Sequence, residues 1–245
     1  LSFIPDADES GDNYATFNFT VNDGSLDSDP QTITVDVTPV NDAPTVDDNG
    51  ATILEDNSYS FSLADFTANY GDVDGDSAAY VTITSLPTDG TLTLNGNLVV
   101  LGDNNRIAVS DIGTLVFSPD ANESGDSYAS FNFTVEDDNA NPLSSSEHTF
   151  TLDVTPVNDA PESADQDVVT NEDTAYVFSA GDFAFTDIDT ATMDHITIVD
   201  LPANGTLYYD GNPVNPGDNI AAGNIGLLSF IPDADESGDN YATFN

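Results

Sequence analysis

The chain has 245 residues, a formal net charge of -44 and one basic side chain, Arg106, apart from His148 and His195. Such a polyanion excludes nucleic acid and anionic membrane surfaces as partners, because phosphate contacts need Lys and Arg. There is no cysteine, which excludes disulfides and thiolate chemistry, while 14 Phe and 9 Tyr supply material for apolar cores.

Residues 1–18, LSFIPDADESGDNYATFN, recur unchanged at 228–245, and the same pattern runs from Leu115 to Asn132. Phe3 to Phe117 is 114 residues and Phe117 to Phe230 is 113. That spacing is one domain rather than one turn of a solenoid. The chain therefore reads as a window on a repeat array. Residues 1–38 are the C-terminal part of a first repeat, 39–155 a complete repeat, and 156–245 a third repeat lacking its last strand or strands. Such a window is expected from a longer protein, or from chains that complete each other's broken repeat.

In chain order, the loop Pro5-Asp6-Ala7-Asp8-Glu9 comes first and returns at 119–123 and 232–236. The alternating run Thr32–Val37 predicts a strand. It ends in Thr38-Pro39-Val40-Asn41-Asp42-Ala43-Pro44, which returns as Thr155-Pro156-Val157-Asn158-Asp159-Ala160-Pro161 after a second alternating run, Thr149–Val154. Two prolines fix φ and remove donors, so this segment is a hinge that continues neither strand nor helix. Each hinge is followed by Glu-Asp, at Glu55-Asp56 and Glu172-Asp173.

Further strands are predicted over Tyr59–Leu63, Tyr80–Leu86 and Tyr128–Val135. Thr91–Leu94, Asn95-Gly96 and Asn97–Val100 predict a hairpin with a two-residue turn, repeated as Thr206–Tyr209, Asp210-Gly211 and Asn212–Val214. No stretch holds a helical period. Short strands with frequent turn signals predict an all-β fold of tandem two-sheet sandwiches in an elongated array. The longest apolar runs, such as Leu98–Leu101, fall far short of a membrane span.

Four acidic clusters rise above the background: the hinge pairs Asn41-Asp42 and Asn158-Asp159; Asp72-Val73-Asp74-Gly75-Asp76 with its counterpart Asp187-Ile188-Asp189; Glu55 and Glu172; and the loops ending in Glu9 and Glu123. Calcium takes six to eight oxygens from carboxylates, amides and carbonyls. In so acidic a chain an Asp-x-Asp also arises from composition alone, and Asp-Gly forms plain turns. Recurrence of the first two aspartates in both repeats favours calcium. Ala191 stands opposite Asp76, so Asp76 is expected to be solvated. The segment is not an EF-hand loop, because its Gly is misplaced and no Glu stands at the twelfth position. The glycine-rich nonapeptide of calcium β-rolls is absent.

These motifs, with Gly-Thr-Leu at 90–92 and 205–207, resemble the cadherin-like, Ig-like tandem repeats of giant bacterial repeats-in-toxin surface adhesins. The resemblance implies an extracellular, cell-surface, biofilm-associated stalk with calcium between successive domains. Carried over, the first junction uses Glu9, Asn41, Asp42, Asp72 and Asp74. The second uses Glu55, Glu123, Asn158, Asp159, Asp187 and Asp189, and Glu172 repeats the position of Glu55. The Asp that cadherins carry two residues before Asn-Asp is Pro39 or Pro156 here. The implied function is to project a distant adhesive tip, with neighbouring repeats or copies of the chain as partners and no enzyme activity. No set of side chains meets the mutual-role test for catalysis, and His195 beside Asp194 has no counterpart in the second repeat. Two other functions fit the residues: a head-to-tail filament completed by strand exchange, and a calcium-dependent carbohydrate-binding module, against which stands the lack of any Trp.

Overall fold

A computed structural model describes residues 1–245. The chain divides into two compact units, Leu1–Val157 and Asn158–Asn245. The first unit opens with an antiparallel hairpin, β1 (Gly11–Phe19) and β2 (Gln31–Val37). Then come β3 (Asn49–Leu54), β4 (Tyr59–Ser60), one helical turn α1 (Leu63–Phe66), β5 (Ala78–Ile83), β6 (Thr91–Leu94), β7 (Asn97–Leu98), β8 (Arg106–Ala108), β9 (Leu115–Ser118), β10 (Gly125–Asp137) and β11 (His148–Thr155). They form two sheets, β3-β11-β10-β5-β8 and β4-β9-β6-β7. The fold is an all-β sandwich.

Alternation builds the core. Successive strand residues point to opposite faces, so Ala129, Phe131, Phe133 and Val135 of β10 and Phe150, Leu152 and Val154 of β11 are all buried. Leu92, Leu115 and Phe117 of the second sheet meet all of these but Val154 in one cluster. Phe131 and Phe150 stack at 5.6 Å, and Phe61 stands edge-on to both, at 5.6 and 5.2 Å. Each such ring stabilises the fold by about 1.5–3 kcal/mol through burial alone.

Two local features depart from pure strand. The predicted strand Tyr59–Leu63 stops at Ser60. The Asp65 carboxylate accepts both the backbone N–H and the hydroxyl of Ser62, at 2.7 and 2.9 Å, and starts α1. That local bonding outweighs the alternating pattern and buries Phe66 completely. The Asn95-Gly96 turn behaves as expected. Both residues take positive φ, 51° and 77°, which matches the twist of the strands they join.

β3 pairs in parallel with β11, from Asn49 opposite Phe150 to Leu54 opposite Thr155. The chain therefore enters the sandwich beside the start of β11 and leaves it at β11's end. The two hinge segments are tied to opposite ends of one strand pair.

The β1–β2 hairpin repeats the β10–β11 register, Phe17 opposite Ile33 where Phe131 faces Phe150, with a bulge at the same place. Asp36 and Asp153 each accept the backbone N–H of the bulged residue, Asn13 and Ser127 respectively, at 2.7 and 2.6 Å. Phe17, Phe19 and Ile33 are 37–41% exposed, whereas their counterparts Phe131, Phe133 and Phe150 are at most 1% exposed.

The second unit holds β12 (Tyr176–Val177), β13 (His195–Thr197), β14 (Thr206–Tyr209), β15 (Asn212–Pro213), β16 (Asn219–Ala221) and β17 (Leu228–Ile231). They form the sheets β12-β17-β14-β15 and β13-β16. Phe178, Ile198, Leu207, Ile220 and Leu228 make its core, and Tyr241 and Phe244 pack against it.

Gly90 has φ of +70°, and a Cβ there would lie 2.6 Å from the Phe117 ring and 2.7 Å from the Ser118 carbonyl oxygen. Gly96 also has positive φ but has nothing within 4 Å. Gly90→Ala should therefore cost roughly 2–5 kcal/mol, adding overpacking to the left-handed backbone cost, and Gly96→Ala only about 1–2 kcal/mol. Calorimetric melting of the two variants tests that order; equal losses would refute the packing account.

Candidate metal centre

The first hinge and the loop after α1 come together through backbone caps. The Asp72 Oδ1 accepts the N–H of Asp74 at 2.9 Å and of Asp76 at 3.2 Å, folding the loop around its own carboxylate. Gly75 supports this bend with φ of +84°. The Asp74 Oδ2 accepts the N–H of Asp42 at 2.7 Å, which ties hinge to sandwich. Carboxylate oxygens of Asp72, Asp74 and Asp76 lie within 4.8 Å of one another. At an effective dielectric near 20, each such pair repels by roughly 3 kcal/mol.

A second loop, after β10, closes the site. Asp137 is 1% exposed. Its carboxylate accepts the N–H groups of Asn139 and Leu143 at 3.1 and 3.0 Å, and the Asn41 side-chain amide at 3.0 Å. Asn41 also donates to the Asn141 carbonyl at 3.2 Å. Its amide nitrogen is thereby held on the second loop. The Asn139 amide donates to Asp76 Oδ2 at 2.8 Å. Asp76 is half-buried and bonded rather than solvated, contrary to the sequence reading. The sequence reading also missed Asp137, Asn139 and Asn141. The available signal was the acidic run Glu136-Asp137-Asp138-Asn139 ending a long alternating strand.

Two oxygens are left over. Asn41 Oδ1 and Asp72 Oδ2 are shut off from solvent with no hydrogen-bond donor. Buried acceptors in this state are costly, and a hard cation is what such oxygens suit. No basic side chain serves them, because the Arg106 guanidinium pairs with Glu136 and lies 3.3 Å over the centre of the Tyr80 ring.

Residues 40–155 match the family model described as the cadherin-like domain. No curated protein sequence matches the chain. The cadherin-like domain is in general a non-enzymatic, calcium-binding and extracellular module. No helix of this chain is long and apolar enough to cross a membrane.

The other residues expected at the hinges divide between the two units. In the first, Glu55 is 4% exposed; its N–H donates to the Thr155 carbonyl at 2.9 Å, and its carboxylate accepts the N–H of Val157. Glu9 and Glu123 sit in their own loops. Each accepts a tyrosine hydroxyl, from Tyr14 at 2.7 Å and from Tyr128 at 3.0 Å. The same tyrosine oxygens accept the N–H of Asp6 and Asp120, both at 3.2 Å, so these loops are latched locally. In the second unit Asp187 Oδ1 accepts the N–H of Asp189 at 2.9 Å, and Asp189 Oδ2 accepts that of Asp159 at 2.6 Å. The caps of the first hinge are thus repeated. Asn158 donates to the Asp159 carbonyl at 2.8 Å. Glu172 is exposed, with its carbonyl accepting the Thr174 hydroxyl at 3.3 Å.

Tyr70 registers the field of the site. Its hydroxyl donates to the Asp76 carbonyl at 3.1 Å. Burial first, then the charges of Asp72, Asp137, Asp138 and Asp76, push its ionisation up to about 12 from 10. A folded value above the unfolded one means stability that is complete below pH 10 and lost as pH rises through 12. The Tyr70→Phe variant should lose one late-ionising phenol, with its phase around pH 12, in an absorbance titration; an unchanged late phase would refute the assignment. Asp137→Ala strips three donors of their acceptor and should cost roughly 2–5 kcal/mol in urea denaturation. A loss below 1 kcal/mol would mean that the loop is held by other contacts.

Proposed function

We propose that this chain is a non-catalytic, calcium-stiffened extender from an extracellular bacterial surface adhesin, its ions held at the hinges between tandem sandwiches. One observation carries the reading: Asn41 Oδ1 and Asp72 Oδ2, buried and without donors, stand where hinge and sandwich meet among three close carboxylates. The match of residues 40–155 to the cadherin-like domain agrees with it. Asn41, Asp42, Asp72 and Asp74 would hold the ion, and Asp137 orients Asn41 through its amide. Asn158, Asp159, Asp187 and Asp189 would do the same at the second hinge. A bound dication would supply positive charge to carboxylates that otherwise repel, and its removal would loosen the hinge.

The sandwich suits a stalk, because entry and exit lie at opposite ends of the β3–β11 pair. A strand of about ten residues spans roughly 33 Å, so each repeat would add about 40 Å. Neighbouring repeats, or copies of the chain, are the expected partners, at the cell surface. The net charge disfavours nucleic acid and direct membrane contact.

Calorimetry of the full chain with and without millimolar calcium tests the reading, together with small-angle scattering. Calcium at a hundredfold excess over its Kd should stabilise the sandwich by about 2.7 kcal/mol, raise Tm and extend the particle. Asp72→Ala should abolish most of that gain. Unchanged melting and scattering would overturn the calcium-stiffened stalk.

A second reading, exchange of hairpins between copies in a filament, is favoured by the exposed Phe17, Phe19 and Ile33 on a hairpin that shares the β10–β11 register. Particle mass that grows with concentration in sedimentation supports it, and a constant monomer mass refutes it.

A further inference from the structure

The two hinge loops start alike and then diverge. In both, the first aspartate caps the N–H two residues on, and the second accepts the N–H of the hinge aspartate. In the second unit the loop then closes at once, with the N–H of Thr190 returning to Asp187 Oδ1 at 2.7 Å. Ala191 follows. In the first unit Gly75 occupies that step in the left-handed region, and its N–H goes to the Asp72 carbonyl at 3.4 Å instead. The cap on Asp72 Oδ1 is made one residue later, by Asp76, at 3.2 Å. That one-residue shift of the cap brings a third carboxylate into the cluster.

Asp76 is fixed there from two sides. Asn139 donates to its Oδ2 at 2.8 Å, and the Tyr70 hydroxyl donates to its carbonyl at 3.1 Å. Asn139 is itself set by Asp137, which accepts its N–H, and by its own Oδ1, which accepts the N–H of Asn141 at 3.1 Å. The chain thus organises a loop, a tyrosine and an amide to hold one more negative charge beside two that already repel it. The donor-free oxygens of Asn41 and Asp72 lie at this same hinge.

Resting on the calcium reading above, we propose that Asp76 is a further ligand to the first hinge's ion and that it raises the calcium affinity of that hinge. Calcium sites tune affinity by the charge count and rigidity of their ligands, and the fixed carboxylate of Asp76 adds to both at the first hinge.

The full chain carries its own reporter. Tyr70 stands at the first hinge loop, and Phe185 holds its place in the second. Terbium, an oxygen-seeking stand-in for calcium, should light up through Tyr70 at the first hinge, a signal that Tyr70→Phe removes. In a calorimetric titration of the full chain, Asp76→Asn should weaken calcium binding at one site roughly tenfold, leave any other site in place and lower the terbium affinity read through Tyr70. Asn139→Ala should do the same to a lesser degree. The double change Thr190→Gly with Ala191→Asp should tighten calcium binding at the second hinge, a gain that serves even if Asp76→Asn fails to fold. Calcium and terbium affinities unmoved by all of these changes would overturn the role of Asp76 and leave the calcium reading standing. No calcium binding at all would overturn the calcium reading itself.

Discussion

Everything in this structure is arranged under like-charge repulsion. With 45 acidic side chains and one arginine, acids cannot in general be paired with bases. The chain uses backbone N–H groups instead. Asp72, Asp74, Asp137, Asp187 and Asp189 are each capped by one or more N–H donors. Such caps stabilise a carboxylate without cancelling its net charge. They leave the charge in place and aim it, and at the first hinge the aimed groups converge.

The sandwich makes convergence possible. Its buried rings fix where β10 stops and where α1 hands over to β5, and the two acidic loops hang from those points. Phe66 in α1 packs against Phe133 of β10 at 5.1 Å. That contact packs the turn ahead of the Asp72 loop against the strand that ends at Asp137. The hinge is tied in last, through Asn41 to the loop after β10 and through Asp42 to the loop after α1.

Much of this was legible in the sequence. Strand alternation, the Asn-Gly turn and the Pro-bounded hinges each follow from a local rule, and the structure places strands, turn and hinge accordingly. The hinge pair and the Asp-x-Asp stood out because they recur at domain spacing. Asp137 did not, because its partner Asn41 lies 96 residues away. Nothing local distinguishes it from the acids around it. Asp76 was misread for a related reason. The lack of a counterpart in the third repeat suggested idleness, whereas the glycine before it is what brings it into the cluster. Glu9 and Glu123 show the reverse. Their partner tyrosines lie only five residues on, a local pairing that a search for long-range ligands passes over.

Arg106 bears on a different matter, the chain's exposure to trypsin-like proteases. A trypsin-like protease cuts after a basic side chain that it must draw into its specificity pocket, from a segment pulled out as an extended strand. This chain offers one such bond. It lies within β8, which is paired to β5, and its guanidinium is already held by Glu136 and the face of Tyr80. Cleavage there requires the sheet edge to peel away first. The scarcity of basic residues that leaves the carboxylates without partners thus also leaves a whole class of enzymes with almost nothing to grip.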